Sequence, residues 1–155
     1  EPLAELSAAA IALRPGGYCL IEVPDPESPF GRLLGRFWVA WFQPQHQHFV
    51  PLHNLTQALE KVGFTILKQE RGRAHIPADL SVALLSWISV IAPPSDQPWH
   101  APQGWGGKLW RYLTLGTLGP LLPVAFLADQ VVWFFAKRGW EWPSNTYRVL
   151  AQKQG

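Results

Sequence analysis

The fold of this chain is decided by the stretch Arg14-Pro15-Gly16-Gly17-Tyr18-Cys19-Leu20-Ile21-Glu22-Val23-Pro24-Asp25-Pro26. Apolar residues recur at helical spacing over residues 2–13, which predicts a helix that the proline and glycines of this stretch end. Residues 18–23 include five apolar side chains without strict alternation, as is typical of a strand covered on both faces in a parallel sheet. Ligands of such sheets bind beyond the carboxyl ends of the strands, where Pro24 and Asp25 lie.

The composition limits the classes of function. With 155 residues, of which 48% are apolar and 15% charged, the chain is one domain or part of one and can bury a core. A net charge of +2, with the basic residues scattered, argues against a nucleic-acid partner. The single cysteine, Cys19, excludes an internal disulfide and a cysteine-rich metal site. The first residues show no signal-peptide pattern, and we expect a cytoplasmic protein.

Two further helices are predicted before a second strand. A serine–proline pair at 28–29 forms a helix start, and apolar and aromatic residues at spacings of three and four extend this helix to the residue before Pro44. Its aromatic face fits the core, a lid over an apolar substrate, or a surface that lies on a membrane. Asn54 is the predicted N-cap of the next helix, Gly63 ends it, and residues 65–70 form the second strand.

Residues 71–143 are predicted to be a hydrophobic, tryptophan-rich helical insertion. Its first helix extends to about Ile91, and after a proline-rich loop a run of 17 uncharged residues lies between Arg111 and Asp129. Tryptophans and cationic residues stand near both ends of this run, and such residues favour the membrane–water boundary. Three interpretations stay open: a buried helical subdomain, an interfacial or re-entrant element, and a transmembrane span. The last two make residues 105–142 a membrane-contacting surface, with the protein peripheral at the membrane in the interfacial case.

Several segments carry a resemblance to a known family: Leu13-Arg14-Pro15-Gly16-Gly17 with its strand, residues 46–55, and Val62-Gly63-Phe64. With a last strand predicted over residues 146–153, their order resembles the C-terminal half of class I S-adenosylmethionine-dependent methyltransferases, most closely the small-molecule branch that includes quinone-type enzymes. The resemblance implies an α/β fold: the C-terminal part of a Rossmann-like methyltransferase sheet, its last strand antiparallel, with a hydrophobic helical insertion. Residues 1–155 are then a partial methyltransferase-like domain.

The cofactor-binding signature of that family is missing from this sequence. The family uses a glycine-rich loop after its first strand and an acidic residue that ends its second strand. Here Gly104-Trp105-Gly106-Gly107 follows a proline-rich loop and not a strand. By resemblance the cofactor is S-adenosyl-L-methionine. We expect the residues that bind it upstream of Glu1, in a longer protein.

The histidines at 46, 48 and 53 are the first candidates for chemistry. In an extended segment His46 and His48 point the same way, but two imidazoles without a third ligand are a weak metal site, and we predict none. By resemblance, a histidine in the extended segment at residues 44–49, which we call the histidine link, faces the substrate. A neutral imidazole there can accept a proton from a nucleophilic hydroxyl. His46 and His48 are therefore the candidate catalytic residues, with a purely structural role as the alternative.

Two acidic residues of the opening stretch need an explanation. Pro24 and Asp25 form the predicted substrate-side loop, in which Asp25 either orients a substrate or cofactor group or serves only as a turn residue. Glu22 lies within an apolar strand, and a carboxylate buried alone is costly, so it is expected to have a partner.

The resemblance implies a transferase. The parent enzyme is expected to move a methyl group from S-adenosylmethionine to a small, apolar or lipid-like acceptor by direct displacement, with the enzyme supplying alignment and a base. The alternative is a non-catalytic membrane-association or binding module derived from a methyltransferase fold.

Overall fold

The computed structural model describes residues 1–41, 47–72, 77–95, 97–98, 101–140 and 144–155. These residues form six α-helices and three strands, with two short 3₁₀ turns at Gly35–Phe37 and Val39–Trp41. The helices are α1 (Pro2–Ala12), α2 (Pro29–Leu34), α3 (Leu52–Lys61), α4 (Asp79–Ile91), α5 (Trp105–Leu118) and α6 (Leu121–Ala136). The strands are β1 (Tyr18–Pro24), β2 (Phe64–Gly72) and β3 (Thr146–Lys153).

The last strand of the chain is the centre of the sheet. The strand order is β1-β3-β2, and β3 is antiparallel to both neighbours, with Ile21 opposite Val149 and Glu70 opposite Arg148. Since β1 and β2 both oppose β3, they run parallel to each other and their carboxyl ends lie at the same edge. The α/β class and the antiparallel last strand are confirmed, consistent with a partial Rossmann-like methyltransferase fold.

One face of the sheet is covered by α1 and α3. Leu55 and Leu59 of α3 and Ala10 of α1 pack against Tyr147 and Val149 of β3 in a single apolar cluster. The turns that return the chain to this sheet are made by glycines with positive φ, +74° at Gly16 and +89° at Gly63. Both positions were predicted as helix stops, because glycine adopts the left-handed conformation without steric cost.

The opposite face of the sheet is open in the described chain. Tyr18 and Leu20 of β1 are mostly exposed there, so the prediction that this strand is covered on both faces is wrong for the described residues. Glu22 on the same face accepts a hydrogen bond from Arg148 of β3, which also approaches Glu70 of β2. The expectation that Glu22 has a partner is thereby confirmed. Glu22, Arg148 and Glu70 form an ion-pair network across the three strands on this face.

The second helix is shorter than its apolar spacing predicted. α2 ends at Leu34, because Gly35 takes φ +51°, and two 3₁₀ turns replace the remainder up to Trp41. The side chain of Trp38 is buried and its indole N–H donates to Asp79 at 2.8 Å. This contact with α4 comes from a distant part of the sequence, which periodicity does not reveal.

Two predicted boundaries also shift. α3 begins at Leu52 after Pro51 and not after Asn54, so the proposed cap at Asn54 is wrong. β2 extends to Gly72, and α4 begins only at Asp79, so the first two residues of the predicted insertion belong to the sheet. Pairing with β3 explains the longer strand, since Gly72 lies opposite Thr146.

The three helices of the insertion are held together by polar side chains of α5 and α6 that bond to the two ends of α4. Asp129 of α6 accepts hydrogen bonds from the backbone N–H groups of Leu80 and Ser81, each at 2.9 Å, and so caps α4 from outside. Arg111 of α5 donates to the carbonyl of Ala92 at the other end of α4. Within the described residues no single helix has the length and apolar character to cross a membrane; α5 and α6 meet that criterion only as a pair bent by 47°.

Candidate functional site

An ion pair joins the carboxyl ends of β1 and β2. Arg71 Nε donates to Asp25 Oδ2 at 2.7 Å, and Arg71 Nη2 donates to Glu27 Oε2 at 3.0 Å. Asp25 is fully buried, whereas 39% of the Arg71 side chain is exposed. Pro24 and Asp25 lie at this edge, where open α/β sheets bind ligands, and their role as a substrate-side loop stays a prediction.

The loop after β1 is fixed by local hydrogen bonds. Asp25 Oδ1 accepts from the backbone N–H of Glu27 at 2.9 Å, which is the turn-forming role considered from the sequence. Ser28 Oγ then accepts from the N–H of Gly31 at 2.9 Å and caps α2, as the serine–proline pair indicated. Asp25 therefore makes a turn and an ion pair at once, and its predicted role in orienting a substrate or cofactor group stays a prediction.

A polar pocket of about 470 Å³ opens beside this ion pair. Its described lining is Asp25, Glu27, Ser28, Pro29, Arg32, Arg71 and Ser144. Arg71 is engaged by the two carboxylates. The side chain of Arg32, in contrast, makes no hydrogen bond or ion pair to any residue in the described ranges, and its guanidinium is available to a ligand. An arginine fork binds carboxylates and other oxygen acceptors with two N–H groups.

Buried polar contacts fix the wall of the pocket to the insertion. Asp79 accepts from the Trp38 indole through Oδ1, and from the Asn145 amide through Oδ2 at 2.9 Å. The carbonyl of Asn145 in turn accepts from the N–H of Asp25 at 3.0 Å. The start of α4, the turn after α2 and the loop before β3 therefore form one connected unit around the carboxyl edge of the sheet.

The described residues just before α3 are tied to the sheet by Tyr147. Its hydroxyl donates to the carbonyl of Val50 at 2.6 Å, and burial, aided by the nearby carboxylates of Asp25 and Glu27, raises the pKa of this hydroxyl. A tyrosine with a raised pKa stays neutral and keeps its donor. His48 is two residues away and is exposed, and it does not line the Asp25 pocket. His46 lies outside the described residues, so a catalytic role for either histidine stays a prediction.

Cofactor and metal fit can be judged from the side chains at hand. In the described ranges no strand leads into a glycine-rich loop: β1 runs into Pro24-Asp25-Pro26, and β2 ends at Gly72. These residues do not fit an adenosyl cofactor, which needs close backbone approach and a carboxylate for its ribose. Nor do histidine, cysteine and acidic side chains of the described residues gather in groups of three around a metal position.

The described residues form an α/β domain with a polar pocket at the carboxyl ends of β1 and β2. A family model described as a methyltransferase domain matches residues 1–69, which span α1 to most of β2. This match supports a methyltransferase family for the chain. No curated protein and no solved structure matches it.

Sequence reasoning did not identify three charged residues of the pocket, Glu27, Arg32 and Arg71. Arg71 was assigned to the insertion, and only its pairing with β3 brings it next to Asp25. Arg32 lies off the apolar stripe of its helix, and this is the one local signal in the sequence that its side chain faces away from the core.

Proposed function

We propose that this chain forms the acceptor-binding side of an S-adenosylmethionine-dependent methyltransferase, and that the acceptor has a polar end and an apolar body. The observation that carries the proposal is the polar pocket at Asp25 and Arg71, at the carboxyl edge of a sheet whose first strand and most of whose second strand fall within the methyltransferase-domain match. The cofactor-binding half is proposed to lie outside the described residues.

The polar end of the acceptor is assigned to Arg32. Its guanidinium lines the pocket and has no partner in the described chain, so a hydroxyl, phenolate or carboxylate oxygen of the acceptor can take that position. The ion-paired Arg71 holds the pocket wall in place. Substrate alignment of this kind, and not covalent chemistry by the enzyme, is the main demand of a direct methyl displacement.

The apolar body of the acceptor is assigned to a neighbouring groove. A cavity of about 530 Å³ lies between the 3₁₀ turn that follows α2 and the flank of α4, lined in part by Phe37, Val82, Leu85 and Val90. Arg36 also lines it, four residues after the Arg32 of the polar pocket. The two cavities thus follow one segment of chain, which supports a lipid-like or quinone-type acceptor.

The test is a transfer assay with the gene product that contains this chain. It is incubated with S-adenosylmethionine labelled in the methyl group and a lipid extract, and label is counted after extraction into organic solvent. Label in the organic phase supports the proposal. Label confined to water-soluble small molecules contradicts the lipid-like acceptor, and no incorporation at all contradicts methyl transfer and favours a non-catalytic module.

A further inference from the structure

Helices α5 and α6 expose two apolar stripes that no other described residue covers. Residues at helical spacing form each stripe, which is the arrangement of an amphipathic helix. The stripe on α5 consists of Trp105, Leu109, Tyr112 and Leu113, and that on α6 of Val124, Leu127, Val131 and Phe134. Exposure is high, 76% for Trp105 and 62% for Leu127. We call the two stripes together the α5–α6 surface. Exposed apolar patches that are larger than single scattered residues mark interaction sites.

Over residues 101–140 the exposed charges around the α5–α6 surface are of one sign. Between residues 80 and 140 the sequence carries carboxylates only at Asp96 and Asp129, and Asp129 is buried, with both oxygens engaged at the start of α4. Four cations flank the stripes: Lys108, Arg111, Lys137 and Arg138. Cations beside an apolar stripe are the signature of a helix that binds anionic membrane surfaces.

Aromatic rings accompany the cations at the end of α6. Lys137 Nζ lies 3.5 Å from the ring centroid of Trp133, and the guanidinium carbon of Arg138 lies 3.4 Å from that of Phe134. Trp140 stacks on Phe135 just beyond. Tryptophan and long cationic side chains prefer the headgroup level of a bilayer, with the apolar part inward and the charge in water.

Asp129 sets the depth to which these helices can enter a bilayer. It is the ninth of the 16 residues of α6, and it holds the first turn of α4. That turn contains Asp79, which is bonded to Asn145 at the edge of the sheet. A span centred on α6 would draw this polar network into the hydrocarbon, where charged and polar groups are costly. Binding to one leaflet leaves the network in the aqueous or headgroup region.

We propose that the α5–α6 surface docks this protein on an anionic lipid bilayer, with α5 and α6 lying in the interface of one leaflet. A second copy of the chain fits the surface less well. Symmetric self-association would place the flanking cations of one copy against those of the other, and like charges across an interface are repulsive. The helices leave the sheet at its carboxyl edge, so docking would bring the bilayer to the side of the Asp25 pocket.

Co-sedimentation with sucrose-loaded vesicles tests this proposal on the full 155-residue chain. One vesicle is phosphatidylcholine alone and the other is an equimolar mixture with phosphatidylglycerol. We expect strong partition to the mixed vesicles that weakens with added salt, because the attraction of cations to the surface is screened. A protein that stays in the supernatant with the mixed vesicles overturns the proposal.

Matched variants locate the contact. Lys137→Gln with Arg138→Gln should weaken partition roughly 25-fold, about fivefold per cation, whereas Arg14→Gln with Lys61→Gln, at the opposite edge of the sheet, should change it less than about twofold. Leu127→Ser should weaken partition about tenfold or more. Leu20→Ser removes an equally exposed leucine, 66% against 62%, from the open sheet face and should leave partition unchanged. Equal effects of the paired variants contradict the proposal.

Two further experiments distinguish docking on one leaflet from a transmembrane span and from a dimer. We expect an alkaline carbonate wash to release the protein from the vesicles, and retention would contradict docking in one leaflet in favour of a span. Sedimentation velocity without vesicles is expected to give a monomer. A stable dimer that Leu127→Ser dissociates would overturn the proposal, because the second copy would then occupy the surface.

Discussion

Arg71 at the end of β2 donates its Nε hydrogen to the buried carboxylate of Asp25 at 2.7 Å, across 46 residues of sequence. This contact closes the carboxyl edge of the sheet on both sides of β3. It also orients Glu27, the second carboxylate on the same guanidinium. The pair therefore stabilises the fold and forms part of the wall of the candidate site. Its contribution to the free energy of unfolding can be compared with that of the more exposed Glu22–Arg148 pair on the other face of the sheet.

Asp25→Asn is expected to lower the free energy of unfolding by about 2–3 kcal/mol, because it leaves Arg71 without its buried charged acceptor. Glu22→Gln, which breaks the more exposed pair with Arg148, is expected to cost less than about 1 kcal/mol. Urea denaturation of the two variants measures both values. Equal losses would show that burial of the Asp25 pair carries no extra energy.

Tyr147→Phe should lower the free energy of unfolding by about 1 kcal/mol, because the hydrogen bond from β3 to the Val50 carbonyl, just before α3, is lost. The folded protein raises the pKa of this hydroxyl, so the stability it provides is complete below the unfolded value of about 10 and is lost as the pH rises above it. Unfolding free energies measured from neutral to alkaline pH should therefore fall more steeply for the wild type than for Tyr147→Phe. Parallel curves would contradict the burial of this group.

Two glycine substitutions should act in opposite directions. A Cβ at either Gly63 or Gly116 meets no atom within 4 Å, but only Gly63 has a positive φ, +89°. Gly63→Ala should therefore destabilise by about 1–2 kcal/mol through backbone strain, and Gly116→Ala should stabilise α5 by about 0.5–1 kcal/mol. Thermal unfolding shows whether each variant is stabilised or destabilised relative to the wild type. Stabilisation by Gly63→Ala would contradict its role in the turn between α3 and β2.

The histidine hypothesis is tested by turnover of the gene product that contains this chain. If the histidine link supplies a general base, His46→Ala or His48→Ala should lower kcat about 100-fold or more. His53→Ala, an exposed position on α3, serves as the control and should have no effect. Unchanged turnover in both test variants would leave the link with a structural role only.

Local signals were sufficient for much of the sheet. The boundaries of β3 follow from alternation, and the stop at Gly63 follows from a glycine after an amphipathic helix, so both were predicted. The antiparallel direction of β3 came from the resemblance and not from its residues. The uncovered face of β1 was missed, because an apolar run does not reveal how many neighbours a strand has.

The candidate site was predicted only in part, because its contacts join distant segments. Asp25 was identified from its place after a strand, but its partner Arg71 lies 46 residues away and was assigned to a helix. After α2 ends at Gly35, Trp38 donates a buried hydrogen bond to Asp79, 41 residues further along the chain. Tertiary hydrogen bonds of this kind leave no periodic signal in the sequence.

The most direct test of the acceptor pocket compares Michaelis constants in the gene product that contains this chain, with the acceptor that the organic-phase assay identifies. Arg32→Gln should raise the acceptor KM about 10-fold to 100-fold, through loss of a charge-assisted hydrogen bond, and should leave the KM for S-adenosylmethionine unchanged. Arg14→Gln, an exposed arginine at the opposite edge of the sheet, should change neither constant. An unchanged acceptor KM in Arg32→Gln, or a rise only in the KM for S-adenosylmethionine, would contradict the assignment of this edge to the acceptor.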